Sequence, residues 1–375
     1  MTDPGTLLKP RRKKAPQGKK KRGATFFGIT ARTLMMAAAV LLVLTYLSVF
    51  FNPAKAWVMT IIGLAFAPAA ALNLFLLLWS VARRSKAIVI PLVALLPSII
   101  VMGRYYQFKS GGVPENEDAV TVVSYNVGRF ASAAKRLGVS REECADSVVS
   151  YLKSLDADII CLQEFYMKDV SKVKSFMKNN FKGYEAEYYV YPDERGCYGN
   201  VTLSRYHIQD KGTLDFEESA NLAISCDCTI NGTKLRIYNC HFQSYSISLS
   251  HIVKNIRDDY RETVRYAEDK LRYSIGLRPR QVDMVMDSIE ECPVESIVVG
   301  DFNDNPTSYT YHRLCRERKD TFVEAGKGAG ATYAYLFPFL RLDYILYPGS
   351  CSAVSHKVDR VRWSDHYPII TKINI

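Results

Sequence analysis

The sequence predicts an α/β protein of the α+β type, in which two packed β-sheets carry helices on their outer faces and a helical transmembrane region precedes them. Two observations predict this fold class. Apolar runs without acidic residues fill the N-terminal part, and from Ala119 onward short β-rich runs are separated by helical or loop segments. Because strands dominate but helices alternate with some of them, we expect sheets packed face to face under helices. We therefore divide the chain into a basic, disordered tail (1–33), a transmembrane region (34–106), a linker (107–118) and a folded domain (119–375).

Three apolar segments of the transmembrane region are candidate membrane spans. Leu34–Phe51 is uncharged over eighteen residues. Trp57–Ala82 is interrupted only by one proline and Asn73, whereas Ala87–Gly103 is shorter and carries two prolines. A helix needs about 20 apolar residues to cross a bilayer, with roughly 17–25 observed. The first two segments meet this requirement and the third is marginal, so we expect three spans, with two spans and a re-entrant or interfacial third segment as the alternative.

Basic residues beside these segments predict their orientation. The tail contains the runs Arg11–Lys14 and Lys19–Arg22, and the second loop contains three basic residues within Arg83–Lys86, whereas the first loop contains only Lys55. Cytoplasmic loops carry an excess of Lys and Arg, so the tail and the second loop are expected in the cytoplasm. Three spans then place the folded domain on the non-cytoplasmic side, and two spans would leave it in the cytoplasm. We expect an integral, multi-pass membrane protein with the folded domain outside.

The positive charge of the chain lies in its tail and membrane flanks. The formal net charge is +11, of which residues 1–33 contribute +9 and residues 34–110 contribute +6, so the rest of the chain carries −4. A protein that grips duplex DNA nonspecifically usually has a basic footprint on its binding domain. Charge therefore does not indicate nucleic acid as the partner of the folded domain, although it does not exclude it. The composition of the tail favours disorder, and its basic runs favour contact with anionic lipid head groups.

A disulfide framework, a zinc site and a serine-hydrolase site find no support in the sequence. Nine cysteines, an odd number without regular spacing, make neither a disulfide framework nor a zinc motif. The serines that follow His241 lack the Gly-x-Ser-x-Gly elbow of a serine hydrolase. The remaining histidines that stand apart from strand ends are expected at structural or surface positions; they are His251, His312 and His356.

Hydrophobic periodicity predicts the elements of the folded domain. Asn231-Gly232 between two alternating runs predicts a tight hairpin turn. Helical spacing occurs over Ser140–Leu155 and over the long charged segment Ile252–Glu291, in which Gly276–Pro279 predicts an interruption. The predicted strands are Val120–Tyr125, Asp158–Leu162, Val201–Leu203, Leu222–Thr229, Lys234–Asn239, Ser296–Val299, Leu342–Leu346 and Pro368–Ile373.

Polar residues suited to metal binding or proton transfer stand at the ends of these strands. A carboxylate at one strand end is commonplace, but here six strand ends carry such residues. Strand ends along one sheet edge converge, so they can build a single anionic site, and hard cations such as Mg²⁺ prefer carboxylate and amide oxygens. The candidate residues are Asn126, Glu164, His241, Asp301, Asn303, Asp343, Asp365 and His366.

Seven motifs in order carry a resemblance to a known family. They are Ser-Tyr-Asn-Val at 124–127, Leu-Gln-Glu at 162–164, Gly-Asn-Val-Thr-Leu-Ser-Arg-Tyr at 199–206, Asn-Cys-His-Phe at 239–242, Gly-Asp-Phe-Asn at 300–303, Arg-Leu-Asp-Tyr-Ile at 341–345 and Ser-Asp-His-Tyr-Pro at 364–368. This set resembles the endonuclease/exonuclease/phosphatase family, which includes DNase I-type nucleases, abasic-site endonucleases, neutral sphingomyelinases and inositol polyphosphate phosphatases. The resemblance covers about 119–375 and implies a DNase I-like fold, a four-layered two-sheet β-sandwich flanked by helices.

The resemblance also implies a metal site. Asn126 and Glu164 would hold the catalytic metal, and Asp365 would complete or approach its shell. The expected ion is Mg²⁺, with Mn²⁺ as the alternative.

The resemblance implies five catalytic roles. His241 would contact the scissile phosphate, and Asp301 with Asn303 would orient the attacking water and the phosphate. Asp343 would hydrogen-bond His366 and fix its tautomer. Phosphoryl transfer needs charge neutralisation and an aligned water, which such a set can supply. Either Asp301 or His366 could be the base.

The function expected from these observations is metal-dependent hydrolysis of a phosphate ester next to a bilayer, and a diester is the favoured type. The substrate would be a nucleic acid, as for a nuclease, or a phospholipid-type head group. The membrane tether favours the lipid version because it confines the enzyme next to lipid. The alternative is a catalytically inactive, membrane-anchored binding module with the same fold, and the complete set of eight polar residues argues against it.

Overall fold

The structure is a computed structural model that describes residues 26–109, 111–194, 196–245, 259–336 and 338–375. The predicted disordered tail lies outside the described residues up to position 25, as do His251 and the first residues of the predicted helix 252–291. From Phe26 onward the tail belongs to the first helix, because no proline separates residues 26–33 from the apolar run that follows.

The N-terminal part folds as a helical unit, which we call the helical module (26–105). A small apolar cluster that includes Leu42, Phe66 and Ala94 holds its helices together. The Asn73 amide is buried among them and donates to the carbonyl oxygens of Ala38 and Ala69. The helices are α1 (Phe26–Leu47), α2 (Trp57–Leu64), α3 (Phe66–Ala82), α4 (Val89–Leu95) and α5 (Ser98–Met102).

The predicted spans differ in how far the helices support them. Among the described residues, one helix, Thr30–Phe50, is long and apolar enough to cross a membrane by itself. Helices α2 and α3 pass the same test only as a pair, and they are bent by 53° relative to each other. The third predicted span is divided at Pro97 into α4 and α5, because proline interrupts helical hydrogen bonding. Length and composition thus support one span, or two if the bent pair is counted.

The folded domain contains two six-stranded mixed sheets, as the sequence predicts. The strands are β1 (Tyr106–Gln107), β2 (Ala119–Asn126), β3 (Ile159–Met167), β4 (Glu185–Asp193), β5 (Gly196–Ser204), β6 (Ile208–Asp215), β7 (Leu222–Ile230), β8 (Thr233–His241), β9 (Ser296–Asp301), β10 (Lys319–Asp320), β11 (Gly328–Ala329), β12 (Asp343–Tyr347), β13 (Ser352–Val358) and β14 (Ile369–Asn374). The first sheet has the strand order β10-β12-β9-β8-β7-β6 and the second β13-β14-β2-β3-β5-β4.

Three apolar layers explain why the sheets stack. One lies between the sheets and joins residues such as Val122 and Ile159 to Ile237 and Ile345. The second sheet packs its outer face on α7 and α8, and the first packs its outer face on α9 and α10. The helices of the domain are α6 (Ala134–Leu137), α7 (Arg141–Ser154), α8 (Val173–Asn180), α9 (Tyr260–Glu290), α10 (Tyr309–Leu314) and α11 (Thr321–Ala325).

The hairpin prediction is confirmed. Strands β7 and β8 pair antiparallel across the two-residue turn, with Ile230 opposite Thr233. Both Asn231 and Gly232 have positive φ, 48° and 88°. Asn and Gly tolerate this conformation, which the tight hairpin turn requires at both central positions.

The predicted interruption near Gly276–Pro279 is wrong, because α9 runs unbroken through Pro279. Ile275 and Val282, on either side of the proline, are buried, and Val282 packs with residues of the first sheet, so this packing offsets the lost hydrogen bond. The sequence analysis also missed strands β4, β6 and β13, whose exposed polar residues hide the alternating pattern.

Candidate active site

The ends of adjacent strands bring the candidate residues together. In the first sheet, the parallel pair β8 and β9 places His241 beside Asp301, and the antiparallel strand β12 places Asp343 on the other side of Asp301. In the second sheet, the parallel pair β2 and β3 places Asn126 beside Gln163, next to Glu164. The two sheets therefore contribute neighbouring positions to one edge of the sandwich.

A local irregularity aims the Glu164 side chain. The pairing of β3 with β5 shifts register between Leu162 and Phe165, and Glu164 lies in this bulge with a φ of 51°. Bulges often redirect a side chain next to a functional site. Here the carboxylate lies 3.4 Å from the Asn126 amide nitrogen and 3.7 Å from His241 Nε2.

Asp343, His366 and Asp301 form a buried chain. His366 Nδ1 lies 2.9 Å from Asp343 Oδ2, and His366 Nε2 lies 3.7 Å from Asp301 Oδ2. Burial disfavours the imidazolium, but the charges of Asp343 and Asp301 outweigh it and raise the pKa of His366 well above its ordinary value. Burial, opposed by the charge of His366, raises the pKa of Asp301 to about 6. A carboxyl group with a pKa of about 6 thus stands next to a histidine whose positive charge is stabilised.

His241 and Asn303 lie at the same strand-end edge. Burial lowers the pKa of His241 to about 4, so its imidazole is neutral near neutral pH and can donate one hydrogen bond. Asn303 has a φ of 51°, its backbone N–H donates to Asp301 Oδ1, and its amide donates to the Phe242 carbonyl. These bonds tie the Asn303 side chain to the end of β8.

Asn126, Glu164 and Asp365 supply the oxygen atoms that would suit a hard cation. Burial and the nearby Asp365 charge raise the pKa of Glu164, so the two carboxylates repel each other. Asp365 in turn lies close to Gly128, where an added Cβ would be 2.8 Å from its Oδ1. A divalent cation would relieve the repulsion, and carboxylate and amide oxygens are the donors that Mg²⁺ prefers. The residues therefore fit the predicted metal.

Within the described residues, a second group of side chains could also hold a metal ion. Ligand atoms of Asp301, Asp343 and His366 lie within 4.8 Å of one another. In this set, however, His366 Nδ1 is already hydrogen-bonded to Asp343, so an ion bound between them would have to displace that bond. We favour the set around Glu164 because the charge of Asp365 acts on the Glu164 carboxylate, and a bound cation would relieve this repulsion.

The sequence analysis missed supporting residues around the site. The Gln163 amide donates to Asn239 Oδ1 at 2.7 Å and links the two sheets behind the site. Arg129 lies 3.7 Å from Glu164 and stacks over the ring of Tyr198 at 3.8 Å. Tyr333 packs its ring edge against His366. Gln163 and Asn239 stand inside the quoted motifs as polar residues of apolar strands, a signal that could have found them, whereas Arg129 carries no such signal.

Comparisons with known proteins agree with this architecture. The family model "Endonuclease/Exonuclease/phosphatase family" matches residues 123–366, and a domain of unknown function (DUF8431) matches residues 27–105. No curated protein matches the chain.

Solved structures share the fold at low identity. The catalytic domain of human nocturnin with bound sulfate is 15% identical and has a TM-score of 0.51 over 69% of this chain and 96% of that one. An endonuclease/exonuclease/phosphatase from Bacteroides vulgatus is 16% identical, with a TM-score of 0.52 over 68% and 99%. A humanized D. rerio TDP2 carrying 14 mutations is 17% identical, with a TM-score of 0.50 over 69% and 100%.

The family match spans more than half of the chain and includes every candidate residue. The two-sheet fold with outer helices and an edge that gathers these residues is that of a hydrolase acting on phosphate esters. The chain belongs to the endonuclease/exonuclease/phosphatase family.

Proposed function

We propose that this protein hydrolyses a phosphodiester with the help of Mg²⁺, or of Mn²⁺, at the strand-end site, while its N-terminal region holds the site next to a bilayer. The observation that carries the proposal is the convergence of eight polar residues from both sheets on one edge. Asp301, for example, lies within 4 Å of three of the others, Asn126, His241 and His366.

Asn126, Glu164 and Asp365 would hold the metal. The bound ion would neutralise charge on the phosphate and favour ionisation of water. The metal-binding role rests on the donor set, since the charge of Asp365 acts on Glu164 and the amide group of Asn126 lies next to the Glu164 carboxylate, with its nitrogen 3.4 Å away.

The protonation states favour Asp301 as the base. With a pKa of about 6, Asp301 is largely ionised near neutral pH and is still basic enough to take a proton from water. His366 keeps its proton because Asp343 and Asp301 stabilise the imidazolium. Its protonated Nε2 then stabilises the negative charge that develops on the reacting phosphate. His241 and Asn303 then orient the phosphate through hydrogen bonds.

The exposed surface of the helical module supports a membrane location. Large apolar side chains on its outer side are 50–77% exposed, which is unusual for a surface that faces water. They include Leu34, Met36, Val40, Phe75, Leu78, Ile99 and Ile100. Burial of this surface in lipid would remove the cost of exposing it.

We propose three crossings, by α1, by α3 and by α4 with α5. The ends of the first and third crossings both touch the folded domain, through Ser48 to the Thr307 carbonyl and through Arg104 to the Pro306 carbonyl. Helix α3 leads away from the domain to the basic turn at Arg83–Lys86 over 17 residues, or about 26 Å at about 1.5 Å per residue. The positive-inside bias then places the domain on the non-cytoplasmic side.

A lipid-type phosphodiester is the substrate class that this arrangement favours over nucleic acid. Asn305 contacts the helical module, and Asn303 of the site is only two residues away. Two residues span at most about 7 Å, so the site lies close to the helical module. A substrate held in the same bilayer would be close to the site. The proposed boundaries remain 34–106 for the membrane region, 107–118 for the linker and 119–375 for the catalytic domain.

A substrate panel tests the proposal. The full chain in detergent micelles is assayed with Mg²⁺ against DNA, RNA, sphingomyelin and bis(4-nitrophenyl) phosphate, with a chelator in parallel samples. We expect hydrolysis of the generic diester and of the lipid that stops in chelator. Undiminished hydrolysis in chelator would contradict the metal role, and no hydrolysis of any substrate would favour the inactive binding module.

A further inference from the structure

The segment that follows strand β9 is contacted by both the folded domain and the helical module. It begins at Asn303 and ends at Thr307, and we call it the clamp segment (303–307). We infer that the helical module fixes the clamp segment in its working position, so that Asn305 and Thr307 act as positioning residues and the module is part of the catalytic unit as well as an anchor. The inference rests on the proposed function for its kinetic readout.

The folded domain holds the first half of the clamp segment. The buried Arg278 of α9 pairs with Asp304 at 2.7 Å, and Tyr245 donates to the same carboxylate. The Tyr344 hydroxyl donates to the Asp304 carbonyl. These contacts fix the chain directly after Asn303, whose backbone N–H is bonded to Asp301.

The helical module holds the second half through several hydrogen bonds, two of which share one carbonyl group. The Thr307 hydroxyl and the Asn305 amide both donate to the Gly63 carbonyl oxygen, at 2.9 and 3.1 Å. The Ser48 hydroxyl donates to the Thr307 carbonyl at 2.8 Å, and the Tyr105 hydroxyl lies 2.8 Å from Thr307 Oγ1. Both clamp residues are about 98% buried, so these bonds form away from water.

The bend in the helical module makes this carbonyl available. Helix α2 ends at Leu64 and α3 starts at Phe66 after a bend of 53°. The last carbonyl groups of a helix lack partners within the helix and need them elsewhere. Asn305 and Thr307 donate hydrogen bonds to one of these groups, the Gly63 carbonyl. The end of α2 and the clamp segment therefore satisfy each other's hydrogen-bonding groups.

Close packing at Gly63 shows that the two parts fit without a gap. A Cβ at this position would lie 2.6 Å from Ser48 Oγ and 2.8 Å from the Thr307 carbonyl oxygen. The second neighbour is backbone of the clamp segment, so a methyl group would push that segment away. Near an active site, a displacement of about 1 Å can cost about 10²-fold in rate.

The substitution Gly63→Ala separates docking from simple anchoring. Alanine is the better helix former, so the change would favour helix α2 taken by itself, and any loss must come from the contacts of the methyl group with Ser48 and with the clamp segment. If the module fixes the clamp segment, the added methyl group should disturb it. Gly103→Ala is the matched control in the same module, because its Cβ would meet only the Gln107 side chain at 3.5 Å and the Ile100 carbonyl at 3.9 Å.

Two measurements on the full chain in detergent micelles are made. The first is the rate of Mg²⁺-dependent hydrolysis of bis(4-nitrophenyl) phosphate, a small soluble diester that needs no access to lipid. We expect Gly63→Ala to lower kcat by about tenfold or more while KM changes by less than about twofold. The second is hydrogen exchange of the amides of 303–310, which should become faster in Gly63→Ala while amides of β2 keep their protection. Gly103→Ala should match the wild type in both.

A pair of substitutions at Thr307 checks the hydrogen bond itself. Thr307→Val removes the hydroxyl and should lower kcat in the same way, whereas Thr307→Ser keeps the hydroxyl and should restore most of it. Wild-type kcat and wild-type protection in Gly63→Ala would overturn the inference. If the wild type hydrolyses no phosphodiester, the proposed function fails, and the exchange of 303–310 alone then decides whether the module fixes the clamp segment.

Discussion

The side chains of Asp343 and His366 are buried and lie 2.9 Å apart, from Oδ2 to Nδ1. Because His366 Nδ1 is occupied in this way, its Nε2 is directed to the Asp301 carboxylate 3.7 Å away. The other oxygen of Asp343 is buried without a hydrogen-bond partner among the described residues. The pair thus fixes one orientation of the imidazole and holds its positive charge next to the proposed base.

The first prediction concerns this pair. Asp343→Asn keeps the shape of the side chain but removes the charge that holds the His366 pKa high, so that pKa should fall. We expect kcat for a phosphodiester to fall by about 10²-fold or more, in the range that acid–base groups contribute. Asp193→Asn on the exposed surface is the control. A variant with wild-type kcat and an unchanged pH profile would remove Asp343 from the mechanism.

The second prediction concerns the metal. Glu164→Gln removes one charged oxygen donor. The Mg²⁺ or Mn²⁺ concentration that gives half-maximal activity should therefore rise by about tenfold or more, because even a residue that only supports a metal ligand contributes about that much to metal affinity. The same titration followed by thermal unfolding should show a smaller stabilisation by the ion than in the wild type. Glu217→Gln on the surface should leave both curves unchanged. Equal metal curves for wild type and Glu164→Gln would exclude Glu164 as a ligand.

The third prediction concerns the side of the membrane. In a chain whose partly exposed native cysteines, Cys292 and Cys315, are replaced by serine, one new cysteine is placed on the exposed surface of the folded domain by Lys174→Cys or in the basic turn by Arg84→Cys. A membrane-impermeant thiol reagent added to intact cells or spheroplasts should label the first position and leave the second unlabelled until the membrane is opened. The reverse pattern would place the domain in the cytoplasm and favour two crossings.

The fourth prediction concerns acid stability. Burial, and then the charge of Arg341, lower the pKa of His356 to about 3, whereas an exposed histidine takes up a proton near pH 6.5. Between these values the unfolded chain binds more protons than the folded chain, so the free energy of unfolding falls as the pH drops below about 6.5. At about 1.4 kcal/mol per pH unit, this histidine should cost about 2 kcal/mol at pH 5.

His356→Asn should remove that part of the pH dependence and can keep the hydrogen bond to Thr321. Denaturant unfolding of the full chain at pH 7 and pH 5 measures it. The difference between the two pH values should be about 2 kcal/mol smaller in the variant than in the wild type. An equal difference in both proteins would mean that His356 is not kept neutral by burial.

The two-sheet fold and the site edge could be predicted because both depend on local patterns. Apolar strands such as β2 and β9 end in Asn126 and Asp301, and parallel pairing with a neighbour brings such ends together whatever the loops do. The Asn231-Gly232 turn is equally local. Resemblance to a family then ordered these residues, which periodicity alone could not do.

The features that escaped prediction depend on tertiary contacts. The helix α9 continues through Pro279 because its buried face packs on the first sheet. The bulge at Glu164 arises from the register between β3 and β5, which are far apart in sequence. The contact of Gly63 with Thr307 joins residues 244 positions apart, and no local pattern announces it.

The most direct test of the proposed function is Mg²⁺-dependent hydrolysis of bis(4-nitrophenyl) phosphate by the wild type and by Asp301→Asn, both as full chains. Asp301 touches Asn126, His241 and His366, so its charge is central to the proposed chemistry. We predict turnover by the wild type and a loss of about 10²-fold or more in kcat for Asp301→Asn. Asp210→Asn is the surface control, and its thermal unfolding midpoint should be unchanged. A folded Asp301→Asn protein that hydrolyses the diester at the wild-type rate would contradict the assignment of the active site.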